Sequence, residues 1–448
     1  MGESEDERQA HYHAGSLSLT ATVALGTGVM IGAGIFALTG QIAELAGGLF
    51  PVAFVLGAIV SGVSAYSYIK VASAYPSAGG IAMILQKAYG RSMTTASAAL
   101  LMAFSMIINE SLVARTFATY TMQLFPGGNN EVWVPVLAVG LIVVAFVINL
   151  AGNAIIGTAS NIAAVLKIGG LVVFVAIALA ASGLSWKIKM WPPAGDPGVA
   201  GSAGAIALAI LAFKGFTTIT NSGDEVVNPQ RNVGRAIVIS LVICLVLYMG
   251  VSVAVASSMS LEELVQARDY ALAEAARPAI GGYGKVFTVG LAMVATASGL
   301  LASIFAVSRM LAMLTDMKLI PHRHFGMPGN VQKHTLVYTV VLAAVMATLF
   351  DLTRIASIGA IFYLVMDITI HVGVFRHLHR DVGASRVVVG GAIALDGAAL
   401  GAFVWVKTVS DPLIVGISLG AIVLITLLER VFLWRVDAES GEEGHEGG

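Results

Sequence analysis

The chain has 448 residues, 57% of them hydrophobic and 11% charged, with a mean hydropathy of +0.86. Soluble domains carry roughly 25% charged residues, so a shortage of charge spread over the whole length excludes a large soluble core and describes a polytopic membrane protein. A net charge of -1 without a basic tract offers nothing to nucleic acid, and a single cysteine, Cys244, excludes a disulfide framework.

The N-terminal stretch MGESEDERQAHYHAG is acidic and polar. It lacks the basic region and short apolar core of a cleavable signal, so the first apolar segment is expected to be retained. A membrane helix needs about 20 mostly apolar residues. Reading for such runs, with breaks at charge and at Pro/Gly clusters, the sequence predicts twelve segments, near 17–46, 49–74, 93–125, 132–152, 155–183, 203–223, 235–258, 283–316, 334–350, 354–379, 386–408 and 411–434. Segment 1 contains GTGVMIGAGIF, with Gly26, Gly28, Gly32 and Gly34. Each glycine costs about 1 kcal/mol relative to alanine in a helix interior. Between segments 2 and 3, PSAGGIAMILQKAYG reads as a short amphipathic piece. Segment 3 carries Glu110 and Arg115, segment 5 carries Lys167, and segment 6 reads LAFKGFTTITNSGDEVVNP with Gly215 at its centre. After segment 7, Ser260 followed by Glu263 is a capping-box pattern and predicts a small helical lid. Segments 10 and 11 hold Asp367, His371 and Asp396, and the tail DAESGEEGHEGG reads as disordered because it has almost nothing to bury.

In hydrocarbon an unpaired backbone N–H or C=O costs several kcal/mol, so non-helical backbone survives only where it lines a cavity. The segment-1 glycines therefore mark either a break or a face for close helix packing. A break would offer N–H groups to a carboxylate and carbonyls to an ammonium, reinforced by helix-end dipoles. Segments 1 and 6 open successive groups of five, and glycine-interrupted spans at matching positions of two halves point to a transporter site. The expected fold is thus all-α and polytopic, a five-plus-five inverted repeat with broken helices 1 and 6 and two extra C-terminal helices. Its parts are an N-terminal tail (1–16), a first repeat (17–183), an extracellular loop (184–202), a second repeat (203–380), the added helices (381–435) and an acidic tail (436–448). With the N-terminus inside, Lys and Arg favour the cytoplasmic side by about two to one. That places both termini in the cytoplasm and the chain in the cell membrane.

GAGIF in segment 1, PSAGGIAMILQKAYG, GFTTITNSGDEVVNPQRNVGRAI and SRMLAMLTDMKLIP follow one another in the order seen in amino acid–polyamine–organocation (APC) permeases. The chain resembles that family over nearly its whole length. The resemblance implies a leucine-transporter-type fold with alternating access to a central amino-acid site. It implies that Ile31, Gly32, Ala33, Gly34 and Ile35 bind the substrate carboxylate, that the carbonyls of Ala212, Phe213 and Lys214 beside Gly215 bind the amino group, and that Phe216 is an aromatic gate. It also implies that Lys167 occupies the place of a sodium ion, touching the Gly28–Ile31 backbone and Ser298 or Thr296.

Ionisable residues within spans are functional candidates by default. Desolvation disfavours the charged form of a buried lysine, so Lys167 either carries a coupling proton or stands as a fixed ammonium linking segments 1, 5 and 8. Lys214 departs from the apolar residue usual in the family. It either pairs with Glu110, leaving a neutral pocket, or meets an anionic substrate, while an unpaired Glu110 would suit a cationic one. Arg115, one turn beyond Glu110, either is its partner instead or reaches the outer vestibule. Asp367 and His371, at i,i+4 spacing, are read as a local hydrogen bond, and Asp396 as facing a helix interface outside the ten-helix core. Asp224 and Glu225 resemble the acidic pair of APC permeases, which implies a cytoplasmic gate or loop anchor pairing with Arg231 or Arg235.

The leading expectation is a secondary-active amino acid permease, with proton symport ahead of amino acid exchange. A polyamine or organocation transporter and a non-transporting amino acid sensor are the alternatives. An enzyme would need convergent nucleophile, base or metal ligands; HRH at His322–His324 has no metal-site context, and no HExxH pattern occurs. No cofactor or metal is expected. The expected partners are an amino acid, a proton and the lipid bilayer, and the oligomeric state is left open.

Overall fold

The computed structural model describes residues 15–443 except 78, 127–131, 152, 184–197, 318 and 321–330, with backbone alone at 33, 151–161, 305, 309, 316, 331–333 and 433–443. Most of the N-terminal tail, most of the 184–202 loop and His322–His324 lie outside the described residues. Twelve long helices coincide with the twelve expected segments. They are α1 (Leu19–Ala46), α2 (Phe50–Ala74), α3 (Met93–Met122), α4 (Trp133–Ala151), α5 (Asn153–Ser182), α6 in two parts (α6a, Gly198–Phe213; α6b, Thr217–Asn221), α7 (Pro229–Ser258), α8 (Gly282–Asp316), α9 (Val331–Leu349), α10 (Leu352–Gly373), α11 (Arg386–Ser410) and α12 (Pro412–Glu443). By length and composition the described residues hold ten stretches apolar enough to cross a membrane, plus the shorter apolar helices Leu19–Gly32 and His334–Leu349.

The helix ends are written in the sequence. Ser18, Ser92 and Asp351 accept from the Ala21, Thr95 and Arg354 N–H groups at 3.2, 3.3 and 2.8 Å, capping α1, α3 and α10. Pro51 and Pro229 stand in the first turns of α2 and α7. Gly47, at φ 57°, ends α1 in a conformation that a Cβ disfavours. The 76–90 stretch forms the helix Gly80–Tyr89, which buries Ile81, Ala82, Ile84 and Leu85. The expected capping box is present at Ser260 and Glu263, opening the first of three short helices: Leu261–Gln266, Ala271–Ala275 and Arg277–Ile280.

Helix neighbours repeat when five is added to each number. α1 packs on α7 as α6a packs on α2, and α1 on α5 as α6a on α10. Likewise α3–α4 matches α8–α9, α4–α8 matches α9–α3, and α3–α10 matches α8–α5. This is the contact pattern of two intertwined five-helix units. α3 is central, with 89% of its span window buried, whereas α4, α11 and α12 are 22%, 28% and 28% buried and present Val144, Val147, Trp405 and Leu428 outward. α11 closes the set against α6a, α10 and α2.

Two expectations are corrected by the helices themselves. Segment 6 is interrupted as expected, by the 3-10 turn Lys214–Phe216, but α1 runs through Gly26–Gly34 without a break. The C-terminal tail does not begin as disordered chain, because α12 continues helically to Glu443. Extending a formed helix fixes one residue per new hydrogen bond, so propagation beyond the membrane end is inexpensive.

Candidate functional site

The α1 glycines each admit a different neighbour. A Cβ on Gly26 would lie 2.9 Å from Ile219 Cγ1 of α6b and 3.1 Å from Ser240 Oγ of α7. On Gly28 it would lie 3.5 Å from Lys167 Nζ, on Gly32 3.1 Å from the Ala295 carbonyl oxygen of α8, and on Gly34 2.7 Å from the Ala212 carbonyl oxygen of α6a. Gly215 closes on the same face, where its Cβ would stand 2.7 Å from the Met30 nitrogen. Close packing, not a break, is what these glycines provide here. The N–H groups of Ile31, Gly32, Ala33, Gly34 and Ile35 therefore belong to the α1 hydrogen-bond ladder. The free N–H cradle expected from a broken helix is not formed, because in hydrocarbon a helix keeps its backbone bonds wherever small residues already satisfy the packing.

At the α6 interruption the backbone does leave the α-helical pattern, and protein hydroxyls attend its carbonyls. Thr217 Oγ1 donates to the Lys214 carbonyl at 2.9 Å. The Tyr248 hydroxyl of α7 lies 2.7 Å from the Met30 carbonyl oxygen and 3.2 Å from that of Ala212, so one side chain ties α1 to α6a at the turn. The Phe213 ring packs on Tyr248 at 5.0 Å between centroids, and Phe216, fully buried, sits edge-on to Tyr68 of α2 at 5.3 Å. Tyr68 and Tyr248 were not singled out by sequence reasoning, since a tyrosine in an apolar run carries no periodic or motif signal.

Lys167, 2% exposed, donates from Nζ to the Gly28 carbonyl at 3.1 Å, as the resemblance implied. The α8 hydroxyls do not join it. Ser298 donates to its own helix at Val294, 2.8 Å, and Thr296 to Ala292, 2.6 Å. Both satisfy their hydrogen on the carbonyl one turn back, the cheapest acceptor in an apolar span. Lys214 is also buried and donates to the carbonyl and hydroxyl of Ser105 on α3, at 3.0 and 3.2 Å, with its ammonium 5.8 Å from the Tyr363 ring centroid. Glu110 receives Ser303 Oγ at 3.3 Å, while its Oε2 has no hydrogen-bond partner among the described residues. Lys214 and Glu110 interact electrostatically but form no ion pair, and Arg115 turns to the Ala347 carbonyl at 2.7 Å instead of to Glu110. Ser105 lies more than one turn before Glu110 on α3 and captures the ammonium first.

Asp367 and His371 do meet one turn apart in α10, with His371 Nε2 3.5 Å from Asp367 Oδ1, but the pair is not isolated: Nε2 is also 3.2 Å from Asp396 Oδ2, which joins α10 to α11. Away from the spans, the chain before α1 pairs with the chain after α6b: Leu17 N–H donates to the Glu225 carbonyl at 2.7 Å and Val227 N–H to the Leu17 carbonyl at 2.9 Å. On the 260–281 lid, Asp269 accepts from Gln41 Nε2 at 2.6 Å, Gln41 accepts from Thr353 at 2.8 Å, and Arg268 pairs with Glu44. Burial pushes the Asp269 carboxyl up from the usual carboxylate range, with Arg268 opposing.

A model of amino acid permeases matches residues 17–428. The chain is 30% identical over 386 residues to the inner membrane transport protein YbaT of Escherichia coli, covering 85% of this chain and 88% of that protein. It is 26% identical over 399 residues to the methylthioribose transporter of Bacillus subtilis, covering 83% of each. It is 30% identical over 266 residues to the branched-chain amino acid permease BcaP of the same species, covering 55% of each. The match runs from the residues before α1 into α12, across an all-helical fold with an interrupted sixth helix, and the chain belongs to the amino acid permease family of membrane transporters.

Proposed function

We propose that this chain moves amino acids across the cell membrane by alternating access, in symport with a proton carried at Lys167. The observation behind the reading is the Lys167 ammonium of α5, enclosed by protein and held on the Gly28 carbonyl at 3.1 Å. A buried cation with one hydrogen-bond acceptor among the described residues is expensive to keep charged. Its protonation is therefore linked to the packing of α1, and α1 packs directly on the interrupted α6. The substrate is proposed to sit beside the α6 interruption at Ala212–Phe216, with Glu110 of α3 at the edge. Both termini are proposed to lie in the cytoplasm, from the Lys and Arg bias of the loops. Exchange of one amino acid for another is the second reading, and it follows if Lys167 remains a fixed ammonium bridging α5 and α1.

Uptake into proteoliposomes tests both. The panel is neutral, cationic and anionic amino acids, with methylthioribose added because one relative bears that name. For symport with one proton, a one-unit pH gradient should support up to about tenfold accumulation, since one unit is about 1.4 kcal/mol. Lys167→Ala should abolish that accumulation and leave exchange at equal pH. A full response to the gradient in Lys167→Ala would remove the coupling role, and failure of every amino acid to accumulate or exchange would remove the permease reading.

A further inference from the structure

Asp367, His371 and Asp396 are each 0% exposed, and their ligating atoms lie within 4.8 Å of one another where α2, α10 and α11 meet. The two carboxylates are not equivalent. Asp367 accepts the Tyr68 hydroxyl on Oδ1 and the Ser64 hydroxyl on Oδ2, the latter at 2.7 Å, so both its oxygens are served. Asp396 has no aligned hydrogen bond on either oxygen, although Oδ2 stands 3.2 Å from His371 Nε2. His371 has a hydroxyl at each ring nitrogen: Ser64 Oγ, 3.1 Å from Nε2, already donates to Asp367 and so accepts from Nε2–H, while Ser67 Oγ, 2.9 Å from Nδ1, can accept from it or donate to it.

With both acids ionised, an imidazolium still leaves one net negative charge in an apolar span, which is costly. The titratable groups that face one another are Tyr68 from α2, Tyr363, Asp367 and His371 from α10, and Asp396 from α11. Lys214 of α6 lies beyond Tyr363 and is held by Ser105, Glu110 of α3 is held by Ser303, and Glu429 of α12 lines a separate groove with Phe104 and Phe362. Neutrality is reached by one more proton, and the unserved oxygens of Asp396 are where it fits.

We infer that Asp396, with His371 and Asp367, forms a second proton-binding site distinct from Lys167, and that the interrupted helix α6 reads its occupancy. The link is direct. Tyr68 donates to Asp367, and its ring packs on both Phe216 (5.3 Å) and His371 (6.0 Å). Tyr363, one turn before Asp367, carries the Lys214 ammonium over its ring. Both ends of the Lys214–Phe216 turn thus rest on aromatic residues next to the cluster. The same atoms could instead ligate a divalent cation, but Tyr68 and Ser64 already occupy both Asp367 oxygens.

The link to α6 rests on the permease reading, whereas the proton site does not. The test is infrared difference spectroscopy of the full chain in lipid nanodiscs across pH, with metal analysis of the same sample. Wild type should show a titrating carboxylic-acid band that is lost in Asp396→Asn, displaced in Asp396→Glu and retained in Lys167→Ala. Absence of such a band in wild type overturns the proposal even if a variant fails to fold. So does a band unchanged in both Asp396 variants, or a stoichiometric divalent ion that a chelator removes. A transported amino acid should move the band's midpoint by about one pH unit, since linkage between sites is reciprocal and typically 1–3 kcal/mol. A midpoint that stays put with a substrate proven by uptake overturns the link to α6. If no amino acid is transported at all, the permease reading fails while the band still decides the proton site.

Discussion

Gly34→Ala separates a packing glycine from a helix-breaking one. The added Cβ would stand 2.7 Å from the Ala212 carbonyl oxygen and 3.1 Å from Tyr248 Cζ, and the first of these is backbone that cannot rotate away. α1 and α6a must therefore move apart, an overpacking cost of about 1–3 kcal/mol. Alanine also favours the helix over glycine by about 1 kcal/mol, which offsets part of that cost. A control removes the offset: Gly140 of α4 has open space where a Cβ would go, so Gly140→Ala keeps the propensity gain without the clash. Gly34→Ala should then be less stable than Gly140→Ala by about 1–3 kcal/mol. Thermal unfolding in detergent, read as loss of the monodisperse chromatographic peak, should rank Gly140→Ala at or above wild type and Gly34→Ala several degrees below Gly140→Ala. Equal midpoints for the two variants would mean that α1 does not press on α6a at Gly34, and the packing explanation of the glycine run would fall.

Other expectations are quicker to state. Tyr248→Phe removes the hydroxyl that reaches Met30 and Ala212. Hydrogen bonds between membrane helices average about 0.6 kcal/mol and reach about 1.7, so a loss near 1 kcal/mol with slower uptake is expected, and unchanged stability and rate would show the tie to be idle. Glu110→Gln keeps the shape of a side chain with one unserved oxygen, and it should change which amino acids compete for uptake; an identical competition profile would take Glu110 out of the substrate site. Asp269 is held above the usual carboxylate range by burial, so the folded lid binds its proton more tightly than the unfolded chain does. Lid stability should then fall as pH rises through the folded value and be greatest on the acid side. Amide exchange over residues 261–280, corrected for intrinsic rates, should be slower at mildly acidic than at neutral pH, and Asp269→Asn should erase the difference.

The sequence by itself determined the twelve helices, the capping box at Ser260 and the interruption after Phe213. These are local matters: apolar run length, a capping oxygen within one turn, and a glycine flanked by polar residues. It also carried the partnership of Lys167 with the Gly28 backbone, although through resemblance and not through spacing. Whether the glycines of α1 break or pack was decided only in three dimensions, because the answer depends on Ala212, Ile219, Ala295 and Lys167 arriving from other helices at the same height. The same holds for Lys214, which took Ser105 over Glu110, and for Asp396, which is expected at a helix interface but whose partner His371 only the packing names. Periodicity says which face of a helix a residue occupies. Only the packing of separate spans says what that face meets, and in a low-dielectric interior that meeting decides where a charge can reside.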